Sequence, residues 1–157
     1  MGVSKTNAMR ILDAKKIPYE MFTYTNDDGN IDGISVAQKI GKDHRMVFKT
    51  LVARGSKDIF VYIIPVSEEL DLKKAAKVAG EKKVDLVPVK EILNLTGYIR
   101  GGCSPVGMKK LYPTFIDQSA EEFPQIIVSG GKIGIQLQLD VNQLVNITNA
   151  QIVELIK

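Results

Sequence analysis

The chain has 157 residues, with 21 Lys and Arg against 18 Asp and Glu, one Cys, one His and no Trp. A chain of this length can bury one substantial core, so we expect a single domain over residues 1–157. One Cys and one His exclude an internal disulfide and supply no ordinary zinc site, and we expect neither a metal nor a cofactor. The longest apolar run, residues 59–66, is too short for a membrane span, and no apolar signal core follows the N-terminus, so we expect a cytoplasmic protein.

The first part of the chain predicts two helices separated by a strand. Ser4 or Thr6 can cap the first helix, because a hydroxyl accepts hydrogen bonds from the first turn. Tyr19–Tyr24 has the aromatic content of a short strand, and the polar segment after it is typical of a loop. Asp32 can cap a second helix, and Gly41 can end that helix in the left-handed conformation.

The next two β-rich runs are typical of a hairpin. Residues 47–54 and 59–66 are joined by a four-residue segment of glycine and polar residues, so we expect them to pair antiparallel. Asp71 can then cap a helix that Gly80 ends, with the alanines facing inward and the lysines outward.

The second half of the chain predicts further strands and helices. Residues 84–87 are typical of a strand, and Pro88 suits the first turn of a helix that ends at Gly97. Asp140 and Asn149 each precede an amphipathic segment that we expect to be helical. Further strands are expected near residues 114–116, 125–128 and 133–139. Because helices and strands are interspersed without strict alternation, the sequence favours an α/β (α+β-like) fold with a curved mixed β-sheet and helices packed around it.

Basic residues concentrate in the middle of the chain. Residues 71–110 carry nine basic and four acidic side chains, whereas residues 111–157 carry two and five. A basic patch attracts phosphates if the fold places its lysines on one side, and a solvated helix face is the alternative. The lysines concerned are Lys73, Lys74, Lys77, Lys82, Lys83, Lys109 and Lys110.

Lys49 lies inside an otherwise apolar strand and next to a second polar residue, Thr50. Lysine is among the residues least often buried, so its position needs a reason. Two explanations are open. The long side chain can reach water at a sheet edge, or the ammonium can hold an anionic or carbonyl oxygen in a pocket.

Two glycine-rich segments bring backbone N–H groups within reach of a ligand. Residues 101–107 can form a concavity for an anion, or a structural turn. Ser129–Gly131 is more typical of a simple hairpin turn.

The sequence argues against a nucleophilic hydrolase. His44 is the only imidazole and lies in a charged stretch typical of the surface, so a base beside a Ser or Cys nucleophile is not expected. An enzyme with this inventory should act on an already activated substrate that supplies its own nucleophile, polarised by backbone N–H groups and a lysine.

Four sequence segments, taken together in their order along the chain, are far more specific than any one of them alone. They are Phe48–Leu51, Leu72–Lys77, Gly97–Lys110 and Val128–Lys132. With these segments the whole chain resembles the YbaK/EbsC-type aminoacyl-tRNA deacylases, which are related to the editing domain of bacterial prolyl-tRNA synthetases. The resemblance implies a curved mixed sheet around a pocket and an enzyme of translation fidelity that removes mischarged cysteine from proline tRNA. The implied partners are the acceptor end of that tRNA and, as a candidate, prolyl-tRNA synthetase.

The same resemblance implies roles for individual residues. Lys49 is the catalytic residue that holds the 3′-terminal nucleotide or the ester, and Cys103 is expected to pack rather than react. The implied substrate-binding residues are Tyr24, Thr50, Gly101, Gly102, Ser104, Ser129 and Gly130, and the implied phosphate-binding residues are Lys73, Lys74, Lys77, Lys109 and Lys110. Gln136 and Gln138 depart from the acidic or small residues expected in relatives.

The implied substrate carries its own nucleophile. The thiol of a bound cysteine can attack its own carbonyl and leave as a cyclic thiolactone, which is formally a lyase reaction; ester hydrolysis is the other route. Two further alternatives stay open: a deacylase for alanine or proline, and a non-catalytic tRNA-binding module.

Overall fold

The computed structural model describes residues 4–157, so residues 1–3 of the predicted 1–157 domain lie outside the described part. The helices are α1 (Asn7–Ala14), α2 (Gly33–Lys39), α3 (Leu72–Ala79), α4 (Val89–Thr96) and α5 (Val141–Thr148). The strands are β1 (Tyr19–Thr23), β2 (Phe48–Arg54), β3 (Ile59–Pro65), β4 (Asp85–Leu86), β5 (Thr114–Asp117), β6 (Gln125–Ser129), β7 (Ile135–Asp140) and β8 (Gln151–Val153). Short 3-10 helices cover His44–Met46 and Gln118–Glu122. None of these helices is long and apolar enough to cross a bilayer.

The strands form two sheets. A three-stranded antiparallel sheet has the order β1-β7-β6, and a five-stranded mixed sheet has the order β4-β2-β3-β5-β8. In the larger sheet β5 runs parallel to both β3 and β8. A single parallel bridge, Val47 to Ile127, joins the two sheets. The predicted mixed α/β class is therefore confirmed, with the strands divided between two sheets instead of one.

The predicted hairpin between residues 47–54 and 59–66 is confirmed as β2 and β3. The N–H of Val66 donates to the carbonyl of Val47 at 2.9 Å, and that of Gly55 donates to Asp58 at 2.9 Å. Hydrogen-bonded and non-hydrogen-bonded pairs alternate in an antiparallel ladder, so the pair of Thr50 with Ile63 is non-hydrogen-bonded. The backbone N–H and C=O groups of Thr50 therefore point away from β3.

Helix boundaries follow the predicted caps. Thr6, Asp32, Asp71 and Asp140 each accept a hydrogen bond from a backbone N–H in the first turn of their helix. Gly80 ends α3 with a left-handed backbone (φ 70°). These local signals are reliable because each capping side chain and the N–H group that donates to it are only two or three residues apart.

The helix predicted after Asn149 is wrong. Asn149 adopts the left-handed conformation (φ 54°, ψ 37°) and ends α5, and the chain continues as β8 beside β5. Ile152 and Val153 are β-branched, which suits an extended strand. The N–H of Leu155 then donates to the buried carboxylate of Asp117 at 2.9 Å, which holds this segment extended.

Apolar cores cover both faces of the five-stranded sheet. Phe48 and Ile63 pack with α1, α5 and the three-stranded sheet. Tyr62 and Ile64 pack with α3 on the other face. Strand β2 therefore separates two cores, and the open part of its edge lies between them.

Candidate active site

A cavity of about 360 Å³ lies beside β2. Its walls come from the start of α2, the turn at Gly101, the end of β6 and the adjoining part of β7. A volume of this size is within the range of small-molecule sites. Five of the predicted site residues line it: Tyr24, Lys49, Thr50, Gly101 and Ser129.

The cavity follows an unpaired stretch of strand edge. Residues 48–51 all line it, although consecutive strand residues point to opposite faces. Strand β4 pairs only with Ala53 and Arg54, and the bridge to β6 is at Val47. Within residues 4–157, the outer edge of β2 thus has no strand partner from residue 48 to residue 51, and the cavity takes that place. The carbonyl of Val52, next along the strand, accepts from the N–H of Val87 at 3.0 Å.

Lys49 is half-buried at this edge. Burial lowers the pKa of its ammonium below the ordinary lysine value of 10.5, and the carboxylates of Glu69 and Glu68 partly oppose that shift. Its ammonium forms no ion pair with any residue from 4 to 157. The side chain therefore lines the cavity as a cation without a fixed counter-ion.

Two hydroxyls of the cavity lack hydrogen-bond partners. The hydroxyl of Tyr24 and that of Thr50 are both shielded from solvent, and neither finds a donor or acceptor in the described part of the chain. Buried polar groups are nearly always hydrogen-bonded in folded proteins. Two residues of the cavity wall therefore carry hydroxyls with unused hydrogen-bonding capacity.

Gly101 occupies a turn that only glycine fits well. Its φ is +88°, and a Cβ atom there would lie 3.0 Å from Cδ1 of Ile31. The turn also places Arg100 on the cavity wall, a residue that was not among the predicted site residues. The one sequence feature that could have indicated Arg100 is its position directly before the glycine pair Gly101–Gly102.

The second glycine segment shapes the opposite wall. Ser129 and Gln136 are register partners in β6 and β7, and the amide of Gln136 donates to the Ser129 hydroxyl at 3.4 Å. Gln136 is buried and lines the cavity, whereas Gln138 bonds to Gln125 at 2.7 Å outside it. The departure noted from sequence at Gln136 thus lies in the site itself.

Three predicted substrate-binding residues lie behind the cavity wall and do not line it. A Cβ atom at Gly102 would approach the backbone nitrogen of Ile133 to 2.8 Å, so this glycine lets the two glycine-rich segments touch. Ser104 is fully buried and its hydroxyl accepts from the N–H of Val106 at 3.2 Å. Gly130 accepts from the hydroxyl of Thr6 through its carbonyl. Substrate contact by Gly102, Ser104 and Gly130 stays a prediction.

Cys103 lines the cavity as a neutral thiol. Burial raises the pKa of its thiol to about 11, and the thiol donates to the hydroxyl of Thr96 at 3.8 Å. The only imidazole, His44, does not line the cavity. No cluster of three His, Cys, Asp or Glu side chains suited to a metal ion occurs in residues 4–157.

The predicted phosphate-binding lysines differ in their availability. Lys73 and Lys77 are exposed on α3, and Lys109 and Lys110 are exposed between the Gly101 turn and β5. Lys74 instead donates to Glu154 and to the carbonyl of Ile156, both at 2.8 Å. Its ammonium therefore anchors the C-terminal segment.

A family model described as an aminoacyl-tRNA editing domain matches residues 32–147. The chain is similar to the Enterococcus faecalis protein named "Putative Cys-tRNA(Pro)/Cys-tRNA(Cys) deacylase EbsC", with 43% identity over 152 residues, 96% of this chain and 93% of that protein. Its fold is similar to a crystal structure of "a putative trans-editing enzyme for prolyl tRNA synthetase" (TM-score 0.83, 23% identity, 99% of both chains). It is also similar to a crystal structure of a hypothetical protein (TM-score 0.87, 20% identity, 96% of this chain and 99% of the other). The family expected from the four sequence segments is thus confirmed, and the chain belongs to the aminoacyl-tRNA editing domain family.

Proposed function

We propose that this protein is an aminoacyl-tRNA deacylase that removes mischarged cysteine from proline tRNA, and from other tRNAs that carry cysteine. The name of its 43% identical relative supports this substrate. The observation that carries the proposal is the cavity itself: it combines a half-buried, unpaired Lys49 with unpaired hydroxyls, and it lacks an imidazole.

The reaction that suits such a cavity uses the substrate's own thiol. The sulfur of the esterified cysteine attacks its carbonyl carbon, so a C–S bond forms and the ester C–O bond breaks. The thiol proton passes to the ribose oxygen, which leaves as the free hydroxyl of the tRNA. The product is a cysteine thiolactone, which water then opens, and no protein nucleophile takes part.

The protein's contribution in this scheme is positioning and electrostatic stabilisation. The ammonium of Lys49 lies near the ester and stabilises negative charge on its oxygen during attack. The hydroxyls of Tyr24 and Thr50 bind polar atoms of the aminoacyl group, and Gly101 and Ser129 form the two walls that hold it in an attacking geometry. The thiol of Cys103 does not compete with the substrate thiol, because its raised pKa leaves very little of the nucleophilic thiolate at physiological pH.

Outside the cavity, exposed lysines meet the tRNA backbone. Lys73, Lys77, Lys109 and Lys110 are available for acceptor-stem phosphates, with Lys74 contributing only when it leaves Glu154. Prolyl-tRNA synthetase is the candidate protein partner, since it produces the mischarged tRNA. The site of action is then the cytoplasm, where tRNA is charged.

An assay with three charged forms of proline tRNA tests the proposal. We expect cysteine to be released much faster than alanine or proline, since these lack a thiol. Serine-charged tRNA is the matched control, because its hydroxyl is a poorer nucleophile in the same position, and it should react far more slowly. Equal rates with cysteine and serine would exclude thiol participation. Faster release of alanine or proline would indicate another editing specificity, and binding without release would indicate a tRNA-binding module.

A further inference from the structure

We infer that Arg100 binds the phosphate of the 3′-terminal nucleotide, so that the cavity is a two-point site for an aminoacyl nucleotide. In this arrangement Lys49 serves the ester and Arg100 serves the phosphodiester on the other side of the same ribose. The inference rests on the proposed function and adds to it a phosphate subsite with a named residue.

The local backbone presents Arg100 to the cavity. The carbonyl of Ile99 accepts from the N–H of Gly102 at 3.0 Å, which closes a β-turn with Arg100 and Gly101 at its centre. Because φ is positive at Gly101 and not at Arg100, the turn is of type II. Arg100 thus stands at the corner of a turn that is seated against Ile31, and this exposed residue lines the cavity.

The charges of the cavity favour an anion. Its charged lining residues are Lys49, Arg100 and Asp32. The carboxylate of Asp32 already accepts from the N–H of Ser35 at 3.1 Å and from its hydroxyl at 2.7 Å. Two of these three lining residues are therefore cationic, and the one carboxylate is already hydrogen-bonded; the carboxylates of Glu68 and Glu69, which act on Lys49, do not belong to the lining.

Arg100 is free to bind this anion. Arg45 pairs with Asp43 at 2.6 Å and Arg54 pairs with Glu91 at 2.8 Å. Arg100 has no such partner in the part of the chain that the structure describes. A guanidinium in this state offers a planar fork of donors that matches two phosphate oxygens.

The chemistry of the substrate identifies which anion is bound. An aminoacyl ester has no free carboxylate, and its ribose and base are uncharged at neutral pH. The phosphodiester is therefore the only anionic group at the charged end of a tRNA. One guanidinium–phosphate contact is worth about a tenfold or greater difference in affinity.

A pair of small substrates that differ by one phosphate tests the inference. These are adenosine and adenosine 5′-monophosphate, each esterified with cysteine at the 3′ position. For the wild-type protein we expect kcat/KM with the phosphorylated substrate to be at least about ten times the value with the unphosphorylated one. In Arg100→Ala the ratio of the two kcat/KM values should fall to about one, because the contact that distinguishes the two substrates is lost. Arg100→Lys should keep part of the preference, and Arg10→Ala, an exposed arginine outside the cavity, should keep all of it.

The same variants are then compared on full-length cysteinyl-tRNA. The slope of log KM against the logarithm of the salt concentration should decrease in Arg100→Ala by about the amount that one phosphate contact contributes. It should be unchanged in Arg10→Ala. An unchanged phosphate preference, or an equal loss of activity on both small substrates, would overturn the inference and leave the proposed function intact. If the wild-type protein does not deacylate cysteinyl-tRNA at all, the proposed function fails, and the phosphate subsite falls with it.

Discussion

The hydroxyl of Thr6 donates a hydrogen bond to the carbonyl of Gly130, 124 residues further along the chain. The same oxygen accepts from the N–H of Met9 at 3.2 Å and so caps α1. One side chain therefore fixes both the start of a helix and the turn that follows Ser129 in the cavity wall.

We expect Thr6→Val to lower the free energy of unfolding by about 1–3 kcal/mol, because it removes a helix cap and leaves a carbonyl unpaired. Thr6→Ser keeps the hydroxyl and should recover most of that loss. Urea unfolding followed by circular dichroism measures both variants. Equal stability of the valine variant and the wild type would show that the hydroxyl contributes nothing.

Lys49→Ala should reduce kcat/KM for cysteinyl-tRNA by at least about a hundredfold, because it removes the cation that stabilises charge at the ester. Lys57→Ala, in the loop between β2 and β3, is the matched control and should keep full activity. Thermal unfolding curves check that both variants fold. Full activity of Lys49→Ala would remove this residue from the mechanism.

The pH dependence of the reaction should report the charge of Lys49. A lysine that acts in its charged form loses its effect as the pH rises through its pKa. Since burial lowers the pKa of Lys49 below 10.5, the alkaline loss of activity should begin at lower pH than for an exposed lysine. The measurement is a pH profile of kcat/KM after subtraction of spontaneous ester hydrolysis. Any residual activity of Lys49→Arg should lack this loss, because a guanidinium stays charged throughout.

The thiol of Cys103 should react slowly with alkylating reagents in the folded protein. Its pKa of about 11, against 9.0 for an ordinary cysteine thiol, leaves about a hundredfold less thiolate at a given pH. Iodoacetamide labelling at pH 8, followed by mass spectrometry with and without urea, measures the ratio of the two rates. Similar labelling rates with and without urea would mean that the thiol is not buried and that its pKa is not raised.

The exposed and the paired lysines of α3 should behave differently. Lys77→Ala should weaken tRNA binding. It should also reduce the slope of log affinity against the logarithm of the salt concentration by about the contribution of one phosphate contact. Lys74→Ala should change tRNA binding less and slightly lower the free energy of unfolding, because its ammonium pairs with Glu154 at the surface and donates to the carbonyl of Ile156. Filter binding at several salt concentrations and urea unfolding separate the two effects. A larger salt effect for Lys74 than for Lys77 would reverse the assignment.

Local features of the fold were predictable from sequence, and long-range features were not. The caps at Asp32 and Asp71 and the hairpin of β2 with β3 depend on residues that are close in the chain. The C-terminal strand depends on parallel pairing of Ile152 with Ile116, which no local pattern encodes, so a helix was expected there.

The candidate site shows the same division. Lys49 stood out because a lysine in an apolar strand is unusual, and the structure places it at the cavity. Arg100, Asp32 and Gln136 meet there from three separate elements, so their common location became visible only in the folded chain. The glycine segments were recognisable as special, but sequence alone could not distinguish a glycine that faces the cavity, Gly101, from one that packs behind it, Gly102.

The shortness of β4 has a consequence for solubility. An unpaired strand edge can form backbone hydrogen bonds with a strand of another protein molecule. Proteins commonly prevent this pairing with a lysine at the edge. Lys49 occupies that position beside the stretch of β2 that β4 leaves uncovered. Its replacement by a large apolar residue should therefore promote aggregation in addition to the expected loss of activity.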